Sequence, residues 1–464
     1  MVYSCFRDNI IKYKWLIVLL VAYFSILVYC SPLDITQLNS GDKCFAHLYS
    51  SVTGVRIYNA PLYTLLGWVV TRLPFSDGFS LSFFLSIIPS VICVALVYFA
   101  IKKQTDTKGA PLFGALSLAA SWLFVSQAVK VEVYPALALL LILGYTFAVY
   151  KKGVLAAITF GFALSGHWVD AIPVVFAMFF YSREFRRRSY LTLIVFAGVF
   201  IAWKFLPNYR NGIFEDTFLS SAIRLFEFWG SGTVYDFILN LSRIPIIMFM
   251  IGFGWIPAIL YFVKEYKKAA PIIFIVGVLC LFILISLNDA GYQQIGTIIP
   301  FLAVAAGLGF KYLANVNFKR IVICGTLITL LLIPLCWNID TNPTSARDMI
   351  DQLDDIPDNS IVACYREPDA YANAISWTVD YYNFENDKHL YPLVVCSLWY
   401  ANDSNIKEIT DMGILVPEIG NGSPLMFNYP KTMDAIAALN PNISFYYYEL
   451  VDDRSAGCDL KIWQ

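Results

Sequence analysis

The sequence predicts an all-α polytopic membrane bundle of about 11 transmembrane helices, followed by a small α/β domain outside the cytoplasm. Three observations lead there. Of 464 residues 58% are hydrophobic and 14% charged, far more apolar than a soluble chain. Apolar runs of near-spanning length recur across residues 1–337, and residues 338–464 turn polar and acidic.

The first run, Trp15 to Cys30, follows Arg7, Lys12 and Lys14. It is long for a signal-peptide core and lacks a small-x-small cleavage site, so it is expected to be a retained helix. The next runs are Phe79 to Ile101, Ala110 to Ser126, Pro135 to Tyr150, Gly153 to Gly166, Val169 to Tyr181 and Tyr190 to Leu206. Ile244 to Val263, Ala270 to Leu287, Ile295 to Phe310 and Ile321 to Trp337 complete the set. Several fall short of the ~20 residues of a full crossing, which fits helices that stop at a cavity or in the headgroup layer.

Pro61 to Leu73 is apolar and opens on proline, but its length gives only ~20 Å of helix. Charge assigns it. With this helix lying along the outer surface, Lys102/Lys103/Lys108, Lys151/Lys152, Arg183/Arg186/Arg187/Arg188, Lys264/Lys267/Lys268 and Lys311/Lys319/Arg320 all share the cytoplasmic side with the N-terminus. Everything after Trp337 then lies outside, and residues 31–78 form a structured first outer loop. A multi-pass place in the plasma membrane or endoplasmic reticulum follows.

The tail alternates helix-like stretches (Ala346 to Leu353, Ala370 to Tyr382, Lys431 to Leu439) with strand-like runs (Ser360 to Cys364, Tyr391 to Cys396, Ser444 to Leu450). Three glycosylation triplets, at Asn402, Asn421 and Asn442, are confined to it. The ten cysteines form no C-x-x-C pair. One bridge among Cys364, Cys396 and Cys458 and three free thiols are both open readings.

A net charge of −1 provides no basic field, so no nucleic-acid partner is expected. Charge outside the cytoplasmic clusters gathers at the outward ends of the helices, where an intramembrane ionisable group is most informative. The first outer loop carries Asp34, Asp42, Lys43, His47 and Arg56. Lys130 and Glu132 share a very short turn, as a surface ion pair or as two groups held toward one cavity. His167 and Asp170 lie three apart, as a structural tie between helices or as working groups. Neither pattern has metal-ligand company, and no nucleotide loop is present, so neither a protein-bound metal nor a cofactor is expected.

Taken in order, Gly41-Asp42, Gly54-Val55, Ala60-Pro61-Leu62-Tyr63, Trp122, Gln127, Glu132-Val133-Tyr134, and Gly161 with His167 form a collinear series. The series resembles the GT-C superfamily of polytopic glycosyltransferases, within it the protein O-mannosyltransferase-like group. Pro300 and the stretch Asp355 to Ile361 are also similar to that family. The chain departs from its pattern where Lys43-Cys44-Phe45 replaces Ser-Gly-Glu and where Ile57-Tyr58-Asn59 replaces His-Pro-Pro.

The resemblance implies transfer of a sugar, mannose in the first instance, from a polyprenyl- or dolichyl-phosphate carrier to a hydroxyl of a protein, glycan or lipid, with inversion. Such chemistry needs a carboxylate to take the acceptor proton and cations to steady the departing phosphate. Asp42 is the candidate base and Asp34 the second. Lys130, Glu132, Tyr134, His167 and Asp170 are candidate cavity residues. Lys204 and Arg210, or Arg224 and Arg243, are candidates for the phosphate, with membrane lipids the competing partners of those cations. The alternative is a non-enzymatic transporter or scaffold displaying the tail. A transporter should show inverted halves and mid-helix charge, and the sequence shows neither.

Overall fold

The computed structural model describes residues 2–31, 44–56, 60–207, 251–285, 292–340, 352–364, 369–394, 429–450 and 458–462, with positions 241 and 350. Helices cover each expected apolar run within these residues. They are Val2–Cys30, Asp77–Gln104, Ala110–Ala119 with Trp122–Ala128, Val133–Val149, Gly153–Gly166, Trp168–Tyr181, Tyr190–Lys204, Trp255–Lys264, Tyr266–Ile285, Tyr292–Gly309 and Val316–Asp340. Among the described residues, three are long and apolar enough to cross a membrane, or four if the bent pair 110–128 is one span, and several shorter apolar helices run 10–17 residues. The opening stretch of the expected run Ile244 to Val263, positions 244–250, lies outside the described residues.

The run Ala110 to Ser126, expected as one helix, breaks by 61°. Ser121 causes the break locally. Its backbone is extended, and its Oγ accepts the Phe124 N–H at 3.3 Å, so it caps a new helix instead of continuing the old one. A π-helical turn at Ser82–Ile87 lies inside the Asp77–Gln104 helix, one turn before Pro89.

Tyr292–Gly309 is the central helix, and Ile298 to Ala306 are buried along its whole girth. It packs against Ala110–Ala119, Val133–Val149, Trp255–Lys264 and Tyr266–Ile285. In lipid no hydrophobic gain separates helix contact from tail contact, so close approach of small residues drives the packing. A Cβ on Gly114 would lie 2.9 Å from the Ala303 carbonyl, and one on Gly307 would lie 2.9 Å from that of Ala110. One on Gly309 would collide with the Pro257 carbonyl. Because that obstacle is backbone, Gly309→Ala is expected to cost about 1–3 kcal/mol and to lower the thermal midpoint in detergent. Gly198→Ala, on an open helix face with nothing within 4 Å, should leave the midpoint level or raise it. Equal midpoints for the two variants would remove the close-packing account.

One end of the bundle is basic. There Glu265 accepts from the Tyr312 hydroxyl at 2.6 Å and pairs with Lys268 at 3.0 Å and Lys311 at 3.1 Å. These partners, the Tyr312 hydroxyl first, hold its carboxyl down at about 2. At the opposite end two short helices, Cys44–Thr53 and Pro61–Val70, cross so closely that a Cβ on Gly67 would collide with Ser51. Arg72 locks the crossing by donating to the Val52 carbonyl at 3.1 Å while lying 5.3 Å over the Trp68 ring.

The C-terminal segment contains a four-stranded sheet of order β2-β1-β3-β4, made by Ile361–Cys364 (β1), Tyr391–Val394 (β2), Phe445–Leu450 (β3) and Cys458–Ile462 (β4). The central β1 is parallel to both neighbours, with Ile361 level with Tyr391 and with Phe445, and β4 is antiparallel to β3. β1 reads Ile-Val-Ala-Cys, the continuous apolar run of a strand covered on both faces. Helices Asp369–Asn386 and Tyr429–Leu439 accompany the sheet. The Asp369–Asn386 helix packs on Cys44–Thr53, and a single apolar cluster joins Leu48, Val52, Val131 and Val133 to Leu353, Ile356, Val379 and Tyr382.

Candidate active site

The short turn between Trp122–Ala128 and Val133–Val149 delivers Glu132 to the end of the bundle opposite the basic one. Glu132 occupies the N-cap position of Val133–Val149 yet makes no capping bond, and its side chain is only 2% exposed. Its carboxylate lies 3.9 Å from His47 Nε2, which comes from the buried side of Cys44–Thr53. A carboxylate so deep is tolerated only with compensating charge. The His47 ring meets Tyr63, at the start of Pro61–Val70, with centroids 4.9 Å apart at 61°.

Behind Glu132, the Tyr134 ring lies 6.0 Å from that of His167. His167 is extended and is at once the last residue capping Gly153–Gly166 and the first capping Trp168–Tyr181. It therefore marks a one-residue corner. Asp170 in the first turn of the second helix sits where the helix dipole favours an anion. It is fully buried, with Oδ2 3.2 Å from His167 Nδ1, a close contact misaligned for a hydrogen bond. His167 is the more open partner, with 22% of its side chain exposed.

A separate cationic group forms at the end of Tyr190–Lys204. The Arg56 N–H donates to the Pro207 carbonyl at 2.8 Å, and its guanidinium lies 5.1 Å from the buried Trp203 ring. Lys204 approaches the same ring at 5.4 Å with its side chain exposed. Packing of Tyr190–Lys204 on Pro61–Val70 brings this corner to the first loop.

Of the residues expected from the sequence, the structure joins Tyr134 to His167 by ring contact and His167 to Asp170, while Glu132, two residues before Tyr134 in the chain, meets His47. Lys130 is half-buried two residues before Glu132. Lys204 belongs to the Arg56 corner. Asp34, Asp42, Arg210, Arg224 and Arg243 lie outside the described residues. Sequence reasoning missed His47 as the neighbour of Glu132, Tyr63 as the ring against His47, and Arg56 as the partner of Trp203. Periodicity carries no signal for contacts between elements so distant in sequence. Only the rarity of histidine, three in the chain, could have drawn attention to His47. Among the described residues no three His, Cys, Asp or Glu side chains converge as a metal would require.

No family model matches the chain, and no curated protein does. Solved structures do. ArnT from Cupriavidus metallidurans, bound to undecaprenyl phosphate, superposes with a TM-score of 0.62 at 14% identity over 97% of each chain. The oligosaccharyltransferase of Archaeoglobus fulgidus, tethered to an acceptor peptide, matches with a TM-score of 0.56 at 12% identity over 95% of this chain and 70% of that one. The same organism's AglB, in complex with an inhibitory peptide and a dolichol-phosphate, gives 0.55 at 12% identity over 79% of this chain and 64% of that one. At 97% and 95% coverage the first two likenesses take in both the helical region and the C-terminal segment, and the chain shares the fold of these proteins.

Proposed function

We propose that the chain is a membrane glycosyltransferase that moves a sugar from a polyprenyl- or dolichyl-phosphate carrier to a hydroxyl acceptor on a protein, glycan or lipid. One observation carries the reading above the rest. The fold matches that of ArnT over 97% of both chains, and that neighbour was crystallised with undecaprenyl phosphate. The buried carboxylates and imidazoles gathered at one end of the bundle add chemical support, because such groups are costly in a membrane protein and mark function by default. Mannose remains the proposed sugar, residues 1–337 the proposed membrane domain, and residues 338–464 the proposed extracytoplasmic domain.

In the proposed reaction the acceptor hydroxyl attacks the anomeric carbon on the face opposite the lipid phosphate. The C–O bond to phosphate breaks, the configuration inverts, and the acceptor proton passes to Asp42, with Asp34 second in line. Lys130, Glu132, Tyr134, His167 and Asp170 line the sugar's side of the cavity. Arg56, with Lys204 and Arg210, meets the departing phosphate monoester. Arginine suits that role because its planar fork can grip two phosphate oxygens at once.

The test is purified protein in detergent or vesicles, given radiolabelled polyprenyl-phosphate mannose and other polyprenyl-phosphate sugars with a cell-envelope acceptor extract. Label should appear in acceptor, with free polyprenyl phosphate released in equal amount. Absence of transfer from every lipid-linked sugar by a folded protein would sink the proposal.

A further inference from the structure

We propose that His47 and Glu132 form an electrostatically coupled imidazolium–carboxylate pair across the junction of the first loop and the bundle. In this pair His47 is a positioning residue that keeps Glu132 an oriented carboxylate for the reaction proposed above, on which its catalytic consequence rests. Four observations converge on this pair. His47 and Glu132 are both buried, with side chains 6% and 2% exposed, and their nearest atoms are 3.9 Å apart. Glu132 stands at a helix N-cap, where glutamate is a poor choice, and does not cap. The imidazole is oriented by the Tyr63 ring, whose helix is locked to that of His47 at the Gly67–Ser51 crossing. Finally, Cys44–Thr53 is also packed against the Asp369–Asn386 helix, which anchors the element that carries the imidazole.

The second imidazole–carboxylate contact, His167 with Asp170, does not have these properties. It joins residues three apart on one corner, and its histidine is partly open, so it ties that corner together. The His47–Glu132 contact instead bridges two elements that only tertiary folding brings together. A protonated imidazole beside Glu132 favours the ionised carboxylate, and the carboxylate in turn favours the imidazolium. Tyr63 meets the imidazole directly, and other titratable or charged groups lie on the elements packed nearby: Lys130, Tyr134, His167 and Asp170, with Arg72, Asp77, Asp380, Tyr382 and Glu385 on or beside the helices packed against Cys44–Thr53. The tyrosines stay neutral through the range in which histidine titrates.

The direct measurement is hydrogen–deuterium exchange at the imidazole C2 position of full-length protein across pH, read by mass spectrometry for the peptide containing His47. The expected result is a His47 midpoint about one pH unit or more lower in Glu132→Gln than in the wild type, with a clearly smaller shift in Asp170→Asn, whose carboxylate meets His167 instead. Where Glu132→Gln does not fold, Glu132→Asp, which draws the carboxylate back, should move the midpoint in the same direction. Matching midpoints in wild type and variant would overturn the pairing, whether or not transfer is observed.

The catalytic consequence is read separately. His47→Gln should lower kcat more than it raises KM, and should shift the acid limb of the kcat/KM profile to higher pH, because Glu132 loses the cation that favoured its ionised form. Adding His47→Gln to Glu132→Gln should cost nothing further. A uniform loss with an unmoved acid limb would make His47 merely structural. A coupled midpoint in a folded protein that transfers no sugar would overturn the proposed reaction while leaving the pair intact.

Discussion

Replacement of Asp42 by Asn is expected to lower turnover about 10²- to 10⁴-fold with donor binding and folding retained. The substitution preserves size and hydrogen-bonding shape and removes only the basic carboxylate, so a general base and a structural carboxylate give opposite patterns. A base loses kcat at unchanged thermal stability. A structural carboxylate loses stability and drags activity with it. Steady-state kinetics with a lipid-linked sugar, beside a melting curve of the same preparation, separates the two. Should Asp42→Asn remain active while Asp34→Asn loses turnover, the base is Asp34. Full activity in both variants would end the case for a carboxylate base in this loop.

Arg56→Ala is expected to reduce kcat about 10²- to 10³-fold, the scale at which loss of a preorganised donor to a developing oxyanion is felt. The guanidinium is held against Trp203 while its own backbone is anchored to Pro207, so it is positioned before any phosphate arrives. Arg56→Lys keeps the charge and loses the fork, and should recover only part of the rate. Lys204→Ala should cost far less, because its exposed ammonium is solvated. If Arg56→Ala and Lys204→Ala proved equally mild in single-turnover assays, the phosphate would have to be met elsewhere, with Arg210 the next residue to replace.

Much of the helical plan was legible because apolar periodicity and capping are local. Gly153–Gly166 was expected and found at the same boundaries, and Trp168–Tyr181 within one residue. Strands β1, β2 and β3 fall where β-branched and aromatic runs placed them, whereas β4, Cys-Asp-Leu-Lys-Ile, was missed because it carries charges and no β-branched or aromatic run and gains its place by pairing with β3. The break at Ala120–Ser121 was missed because both of its flanks are equally apolar. Its cue was Ser121, a capping residue inside a long hydrophobic run. At the site, Glu132, Tyr134, His167 and Asp170 could be singled out as expensive polar residues at helix ends. Their grouping around Tyr134, and the arrival of His47 and Arg56 from the first loop, depend on which helices become neighbours, and charge parity fixes only sides.

The apolar cluster that joins Leu48 and Val52 to Val379 and Tyr382 also constrains the order of assembly. Cys44–Thr53 emerges early in synthesis, directly after the first membrane helix, yet the surface that covers it is encoded more than three hundred residues later. Contacts of such sequence separation are slow to form, and until they form a hydrophobic face waits uncovered at the membrane edge. Maturation of the site is therefore expected to be post-translational. A nascent chain halted before residue 369 should bind chaperones and leave His47 open to diethylpyrocarbonate, and release of the complete chain should end both.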